Sequence, residues 1–195
     1  CPAENMHDEV VPPKFPIKKI IVASSQGVYA EGKYTCPKCG FVYPKSRSVE
    51  QLQKGEWEIA CPKDGSQMES QLENEDDLTV QSNLYSISKR SLEQTILFLG
   101  EYLRIPSIAL RYTIAHGPRQ SFRHFYTGAL RQFVTMALSN KPISMHEDGN
   151  QKRDFIHIND LVSANITVLE NNKIPSGIYN VGSGRTTRVV ELAQT

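Results

Sequence analysis

A run of β-branched apolar residues at 17–29, IKKIIVASSQGVY, ends in small polar residues, as in a buried parallel strand that opens into a loop. A second run of this kind, SIALRYTIAHGPRQ at 107–120, follows a segment whose apolar residues repeat at helical spacing from Leu92 to Leu103. Later segments repeat the order of strand and helix. This alternation predicts a parallel α/β sheet, in which ligands bind at the carboxyl ends of the strands.

Composition and charge narrow the classes of function. The chain has 195 residues, of which 39% are hydrophobic and 22% charged, enough for one domain with a sizeable core. It lacks a run of about 18 apolar residues, and the segment CPAENMHDEV is too polar for a signal sequence, so we expect no membrane association and a cytoplasmic protein. The formal charge of +1 comes without a basic stripe, so we expect no nucleic acid partner.

An inserted module interrupts the alternation between residues 32 and 77. It contains two similar turns, CPKCG at 36–40 and CPKDG at 61–65, followed by an acidic run that we interpret as a solvated linker. A C-x-x-C turn lets two thiolates reach one zinc ion, and a carboxylate oxygen also ligates zinc. The spacing fits a zinc-ribbon-like site, and a ribbon that has lost its metal is the alternative. The candidate ligands are Cys36, Cys39, Cys61 and Asp64, with Cys1 and His7 as fallbacks.

A tyrosine and a lysine stand four residues apart in SNLYSISKRSLEQ at 82–94, where the helical period begins. Tyr85 and Lys89 therefore project from the same helix face. A cation beside a phenol favours its ionised form, which a base needs at neutral pH. Since one Y-x-x-x-K spacing is more often a solvated pair, its assignment depends on the motifs around it.

Five segments occur in a characteristic order: ASSQGVY, YSISK, LRYTIAHGPRQ, RDFIHINDL and YNVGSG. Together they resemble the extended short-chain dehydrogenase/reductase family, in particular its NAD-dependent nucleotide-sugar epimerases and dehydratases. The resemblance implies a partial Rossmann-like, doubly wound parallel sheet, NAD as cofactor, a nucleotide-diphosphate sugar as substrate and a homodimer in the complete enzyme. The cysteine-containing insert and FYTGALRQF at 125–133 are similar to a subgroup that includes dTDP-L-rhamnose 4-epimerases.

The resemblance also implies roles for the residues near the cofactor. Ser25 corresponds to the catalytic hydroxyl and Tyr85 to the acid/base, while Lys89 activates Tyr85 and holds the nicotinamide ribose. A Tyr85 phenolate takes a proton from the sugar hydroxyl as hydride passes to NAD. Ser24 and Tyr112 are further candidate cofactor contacts, and a purely structural role is the alternative for Ser24.

Two arginines are candidate substrate-binding residues by the same resemblance. Arg153 matches the position that grips the nucleotide diphosphate, a task suited to a fork of donors. A surface ion pair with Asp154 or Glu147 is the alternative. Arg119 is a weaker candidate. Ile114 stands where relatives carry an asparagine that serves the substrate, so the sugar stays open.

The resemblance divides the chain into the C-terminal part of a dinucleotide-binding domain (1–31 and 78–120), the insert with its linker (32–77) and a substrate-binding part (121–195). Family members carry a G-x-x-G-x-x-G turn for the pyrophosphate, and these 195 residues contain none, so we expect a C-terminal portion that is inactive alone. A 4-epimerase is the favoured function. The alternatives are a dehydratase of the same family, a nonenzymatic remnant and a zinc-ribbon binding module.

Overall fold

The structure, a computed structural model, describes residues 16–121 and 128–194. In chain order, the strands β1 to β9 are Ile20–Ser25, Tyr34–Cys36, Gly40–Val42, Glu69–Ser70, Ser107–Tyr112, Ile114–His116, Lys152–His157, Gly177–Val181 and Thr186–Arg188. The helices α1 to α5 are Val49–Gln53, Leu84–Leu103, Ala129–Leu138, Ile158–Glu170 and Val189–Gln194, and a short 3-10 helix covers Gln26–Tyr29. Within the described ranges, none of these helices is both long and apolar enough to cross a bilayer.

A parallel sheet of order β1-β5-β8 forms the centre of the molecule. Side chains alternate between the faces of a strand, so β5 contributes to two layers. Ile108 and Leu110 pack with Val168 of α4 on one face, whereas Arg111 bonds Glu93 of α2 on the other. Helices thus cover both faces, which confirms the predicted doubly wound α/β fold.

Helix α2 carries the Tyr85 and Lys89 pair, and its ends are well defined. Asn83 and Ser86 form a reciprocal capping box at its start. Near its end, a Cβ on Gly100 would overlap Ser107 Oγ and lie 2.8 Å from the Ile105 carbonyl oxygen. Only glycine permits this close approach to β5, so the helix is held firmly against the sheet.

The insert forms a separate small sheet of order β3-β2-β4, in which β2 pairs antiparallel with both neighbours. Its buried cluster consists of Cys36, Val42, Cys61 and Met68. The three cysteines of the described chain are free thiols, and they lie within this module. The prediction of a compact ribbon-like insert therefore agrees with the structure.

The acidic run after the insert is docked on the sheet, so its interpretation as a solvated linker is wrong. The Glu75 carbonyl oxygen accepts a hydrogen bond from Arg111 Nη1 at 3.1 Å. Asp77 accepts from Lys33 at 3.0 Å and from the Tyr43 hydroxyl at 2.7 Å. The reason is that the backbone and side chains of this run supply acceptors to Arg111 of the sheet and to Lys33 and Tyr43 of the insert.

The C-terminal part adds a mixed sheet in which β7 pairs parallel with β6 and antiparallel with β9. This places Arg153, on β7, beside Thr187 of β9. Helix α3 ends at Leu138, with Ser139 as its C-cap residue. Residues 125–127 of the subgroup-like segment lie outside the described residues.

Candidate active site and metal centre

Ser25 and Tyr85 converge on Gly27 at the carboxyl end of β1. Ser25 is the last residue of the strand, and its Oγ accepts a hydrogen bond from the Gly27 backbone N–H at 3.1 Å. A Cβ built on Gly27 would lie 3.5 Å from both Ser25 Oγ and Tyr85 Cε1. A hydroxyl and a phenol ring therefore border one small space that a glycine leaves open.

Lys89 lies one helical turn behind Tyr85. Its Nζ donates to the Ala23 carbonyl oxygen at 2.9 Å and lies 5.6 Å from the centroid of the Tyr85 ring. An ammonium carries three donors, so this single bond fixes its position and leaves donors for a ligand. Tyr85 is 53% exposed, so its ring is accessible from solvent.

A cavity of about 1130 Å³ begins beside these residues and extends between the central sheet, the insert and the C-terminal part. Each of the three parts contributes to its wall. Representative lining residues are Gln26 and Gly27 after β1, Tyr34 and Trp57 of the insert, and Arg153 and Asp154 of β7.

Arg153 lines this cavity, as expected of a substrate-binding residue, and Arg119 does not. The ion-pair alternative for Arg153 is not found in the described residues. Asp154 instead accepts hydrogen bonds from the backbone N–H groups of Ser183 and Gly184, both at 3.0 Å, and Glu147 pairs with Arg47 at 2.8 Å. Arg119 is exposed, with a backbone φ of 70°, and it is not among the residues that line the cavity.

The four predicted metal ligands cluster in the insert. One ligand atom from each of Cys36, Cys39, Cys61 and Asp64 lies within 4.8 Å of the others. Hydrogen bonds from the Ser66 backbone N–H, and from Cys61, lower the pKa of the Asp64 carboxyl to about 2, so it is ionised at neutral pH. Three thiols and a carboxylate fit a structural zinc ion. The fallback ligands Cys1 and His7 lie outside the described residues.

Comparison with known proteins decides the family. A family model described as "NAD dependent epimerase/dehydratase family" matches residues 58–182. The chain belongs to this family. It is 29% identical over 189 residues to a dTDP-L-rhamnose 4-epimerase of Burkholderia thailandensis, covering 96% of this chain and 50% of that protein. It is 30% identical over 113 residues to human dTDP-D-glucose 4,6-dehydratase, covering 58% of this chain and 31% of that one.

Solved epimerase structures share this fold. A UDP-N-acetylglucosamine 4-epimerase from Methanobrevibacter ruminantium, in complex with UDP-N-acetylmuramic acid, superposes with a TM-score of 0.66 at 24% identity. The match covers 91% of this chain and 45% of that one. A UDP-glucuronic acid 4-epimerase from Bacillus cereus, in complex with UDP-glucuronic acid and NAD, gives a TM-score of 0.62 over 91% of this chain and 44% of that one, also at 24% identity. The chain spans at most about half the length of these relatives.

The epimerase/dehydratase family is named for NAD, and part of its site fits NAD here. A hydroxyl, a phenol and an ammonium meet at the carboxyl end of a parallel strand, beside the space above Gly27. This combination suits the nicotinamide and its ribose. The G-x-x-G-x-x-G turn that holds the pyrophosphate is not part of these 195 residues. The fit therefore concerns the nicotinamide end only.

Ser24 and Tyr112, the other two candidate cofactor contacts, are engaged within the protein. Ser24 is 2% exposed and its hydroxyl donates to the Glu93 carboxylate. The Tyr112 hydroxyl donates to Asn165 Oδ1 of α4 at 2.8 Å. These contacts favour the structural role that the sequence left as the alternative for Ser24, and they give Tyr112 a packing role as well.

Sequence reasoning missed a buried ion pair beneath the catalytic candidates. Arg111 Nε and Nη2 donate to the two oxygens of Glu93 at 2.8 and 2.9 Å, and both side chains are at most 1% exposed. Burial alone raises the pKa of Glu93, but hydrogen bonds from Arg111, Ser24 and Arg90 hold it below its usual value. One signal was available: the helical period places Glu93 on the same face as Lys89, next to the apolar stripe.

Proposed function

We propose that this protein is an NAD-dependent nucleotide-sugar 4-epimerase in which Tyr85 is the acid/base. The observation that carries the proposal is that Ser25 and Tyr85 meet at Gly27, with Lys89 one turn along the helix from Tyr85, next to a cavity of about 1130 Å³. A cavity of this size suits a nucleotide sugar, since drug-sized ligands occupy roughly 300–1,000 Å³.

Each residue has a defined part in the proposed reaction. Tyr85, as the phenolate, takes the proton of the sugar hydroxyl, while the Ser25 hydroxyl donates a hydrogen bond to the oxygen that becomes a carbonyl. Lys89 holds its place through the Ala23 carbonyl oxygen and presents its remaining donors to Tyr85 and the ribose. NAD, held at its nicotinamide end by Tyr85 and Lys89, would supply reversible hydride transfer at the sugar carbon, with return of the hydride to the opposite face. Tyr85 then gives the proton back, so no net oxidation occurs.

The extent of the similarity favours an epimerase over a dehydratase. The similarity to the dTDP-L-rhamnose 4-epimerase covers 96% of the chain, insert included, whereas the similarity to human dTDP-D-glucose 4,6-dehydratase covers 58%.

Mass and stereochemistry of the product test this function. The full-length protein is incubated with NAD and a panel of UDP- and dTDP-sugars, and products are examined by mass spectrometry and NMR. We expect a product of unchanged mass that is inverted at the carbon bearing the oxidised hydroxyl. A product lighter by one water identifies a dehydratase, and absence of turnover across the panel favours the nonenzymatic alternatives.

We also infer that the cysteine cluster binds a structural zinc ion that organises the insert. Its donor set supports this, and its position in the small core of the insert gives the metal no contact with reacting atoms. The division into cofactor-binding, insert and substrate-binding parts, the homodimer, the cytoplasmic location and the lack of a nucleic acid partner stay predictions.

A further inference from the structure

The insert forms a wall of the cavity opposite the C-terminal part. Tyr34, Arg47 and Trp57 of the insert line it, and Glu147 and Arg153 line it from the C-terminal side. The insert therefore contributes to the candidate substrate site, because three of its polar or aromatic side chains border the space that a substrate must enter.

Arg47 links the insert to the C-terminal part across the cavity wall. Its Nη1 donates to Glu147 Oε2 at 2.8 Å and to the Trp57 carbonyl oxygen at 3.1 Å. Its Nε, by contrast, is buried and has no hydrogen-bond partner in the described part of the chain. A buried donor without an acceptor is costly, so the Arg47 guanidinium in this wall would be stabilised by a further acceptor. Thr113 Oγ1, which belongs to the same wall, is buried and unpartnered in the same way.

Glu147 is held firmly in place. Its Oε2 also accepts a hydrogen bond from Gln151 Nε2 at 2.8 Å. Its backbone has a φ of 56°, in the left-handed region that residues other than glycine adopt at a cost and keep where their surroundings enforce it. The hydrogen bond from Arg47 lowers the pKa of Glu147, so the carboxylate is ionised at neutral pH.

The charged side chains of this wall suit two different groups of one ligand. Arg153 has no carboxylate partner among the described residues, so its charge is available to an anion such as a diphosphate. The Arg47–Glu147 pair is neutral as a whole but combines the donors of a guanidinium with the acceptors of a carboxylate. A sugar hydroxyl both donates and accepts, so it matches such a pair.

We propose that the Arg47–Glu147 pair binds hydroxyl groups of the sugar, so that the insert recognises the sugar while Arg153 holds the diphosphate. This inference rests on the proposed function, because it takes a nucleotide sugar as the ligand. It assigns sugar specificity to an insert residue that lies 100 positions from its partner in sequence.

The test separates the sugar from the nucleotide by calorimetric titration of the full-length protein. The probes are UDP and dTDP, and then UDP-N-acetylglucosamine and dTDP-glucose. Arg47→Lys keeps a cation for Glu147 but has no Nε donor. We expect it to lower affinity for the nucleotide sugar by roughly tenfold or more, the usual effect of losing a charged hydrogen bond, and to leave affinity for the nucleoside diphosphate unchanged.

Two variants serve as references. Arg153→Met removes the proposed diphosphate contact and should weaken the nucleoside diphosphate and the nucleotide sugar alike. Lys54→Gln alters an exposed cation of the same insert, paired with Glu50 at 2.8 Å and away from the cavity lining, and should change neither affinity. Thermal melting of each variant confirms that it is folded.

The outcomes distinguish this inference from the proposed function. If the wild-type protein binds the nucleotide sugars and Arg47→Lys binds them equally well, the inference is wrong and the proposed function stands. Equal weakening of nucleotide and nucleotide sugar by Arg47→Lys also contradicts it, since the pair then acts on the nucleotide. If the wild-type protein binds none of the probes, both fail.

Discussion

The central sheet and the insert border the same cavity, but they are stabilised in different ways. Strands of the sheet have five or six residues, and helices cover both of its faces. Strands of the insert have two or three residues around a cluster of four buried side chains. A core this small needs additional stabilisation, for example from a bound metal ion. The catalytic candidates therefore stand on the larger core, whereas the proposed sugar wall would depend on the proposed zinc ion.

The two regions are joined through the segment after the insert. Glu75 and Asp77 bind Arg111 and Lys33, and the Tyr29 hydroxyl contacts the Asn74 carbonyl oxygen at 3.1 Å. Arg111 also forms the buried pair with Glu93 beneath Tyr85 and Lys89. One arginine thus stabilises the sheet and also holds the insert against it. We therefore expect substitutions that destabilise the sheet to affect the insert more than substitutions in the insert affect the sheet.

The largest effect is expected from Tyr85→Phe, which removes the proposed acid/base and leaves the sheet intact. Turnover should fall by roughly 10² to 10⁴-fold, as for loss of a positioned acid or base. Stability should hardly change, because the ring is 53% exposed. Steady-state kinetics with a nucleotide sugar measure this. Tyr102→Phe, on the same helix and 58% exposed, is the control and should keep wild-type turnover. Normal turnover in Tyr85→Phe would end the assignment.

The buried pair of the sheet is expected to dominate stability. Glu93→Ala leaves Arg111 buried without its carboxylate and should lower the free energy of unfolding by about 3–5 kcal/mol. Urea unfolding measures this. In the insert, Glu50→Gln breaks an exposed i,i+4 pair with Lys54 and should cost about 0.3–0.5 kcal/mol. Similar losses in the two variants would show that the pair in the sheet is not the stronger one.

Removal of zinc should affect the insert and spare the sheet. We expect about one equivalent of zinc in protein purified without chelator, with Zn–S distances of about 2.3 Å by X-ray absorption. Cys61→Ser should lose the metal, and protease cleavage between residues 36 and 66 should become faster while the central sheet stays protected. Lys63→Gln changes an exposed residue of the same turn and is the control. Less than about a tenth of an equivalent in the wild-type protein contradicts the site.

Local spacing accounts for what the sequence predicted well. The helical period alone places Tyr85 and Lys89 on one face, and a strand that ends in Ser25 delivers its hydroxyl to the carboxyl edge of the sheet. The cysteine turns likewise bring Cys36 and Cys39 together over three residues. In each case the relevant neighbours are close in sequence or follow from the geometry of one element.

Features that depend on distant contacts were not predictable. Glu93 and Arg111 lie on different elements, and Arg47 meets Glu147 from a separate module. The acidic run after the insert has the composition of a solvated segment, but composition says nothing of backbone carbonyl groups, and the Glu75 carbonyl oxygen satisfies Arg111. Alternation along β1 turns the Ser24 hydroxyl to the interior, where the Glu93 carboxylate accepts a hydrogen bond from it.

The smallest effect on the free energy of unfolding is expected from lowering the pH, and it concerns the buried pair of the sheet. Hydrogen bonds from Arg111, Ser24 and Arg90 outweigh burial and hold the pKa of Glu93 below its usual value. A carboxyl whose pKa is lowered on folding stabilises the folded state fully above its ordinary value of about 4.3, and this contribution disappears as pH falls through the lowered value. The free energy of unfolding of the wild-type protein should therefore drop more steeply below roughly pH 4 than that of Glu93→Gln.

Urea unfolding of both proteins between neutral pH and about pH 3 measures the two slopes. Parallel curves would show that the Glu93 carboxylate is not stabilised by its partners, and the acid sensitivity would then have to come from other carboxylates with a lowered pKa, such as Asp77 at the docked end of the insert.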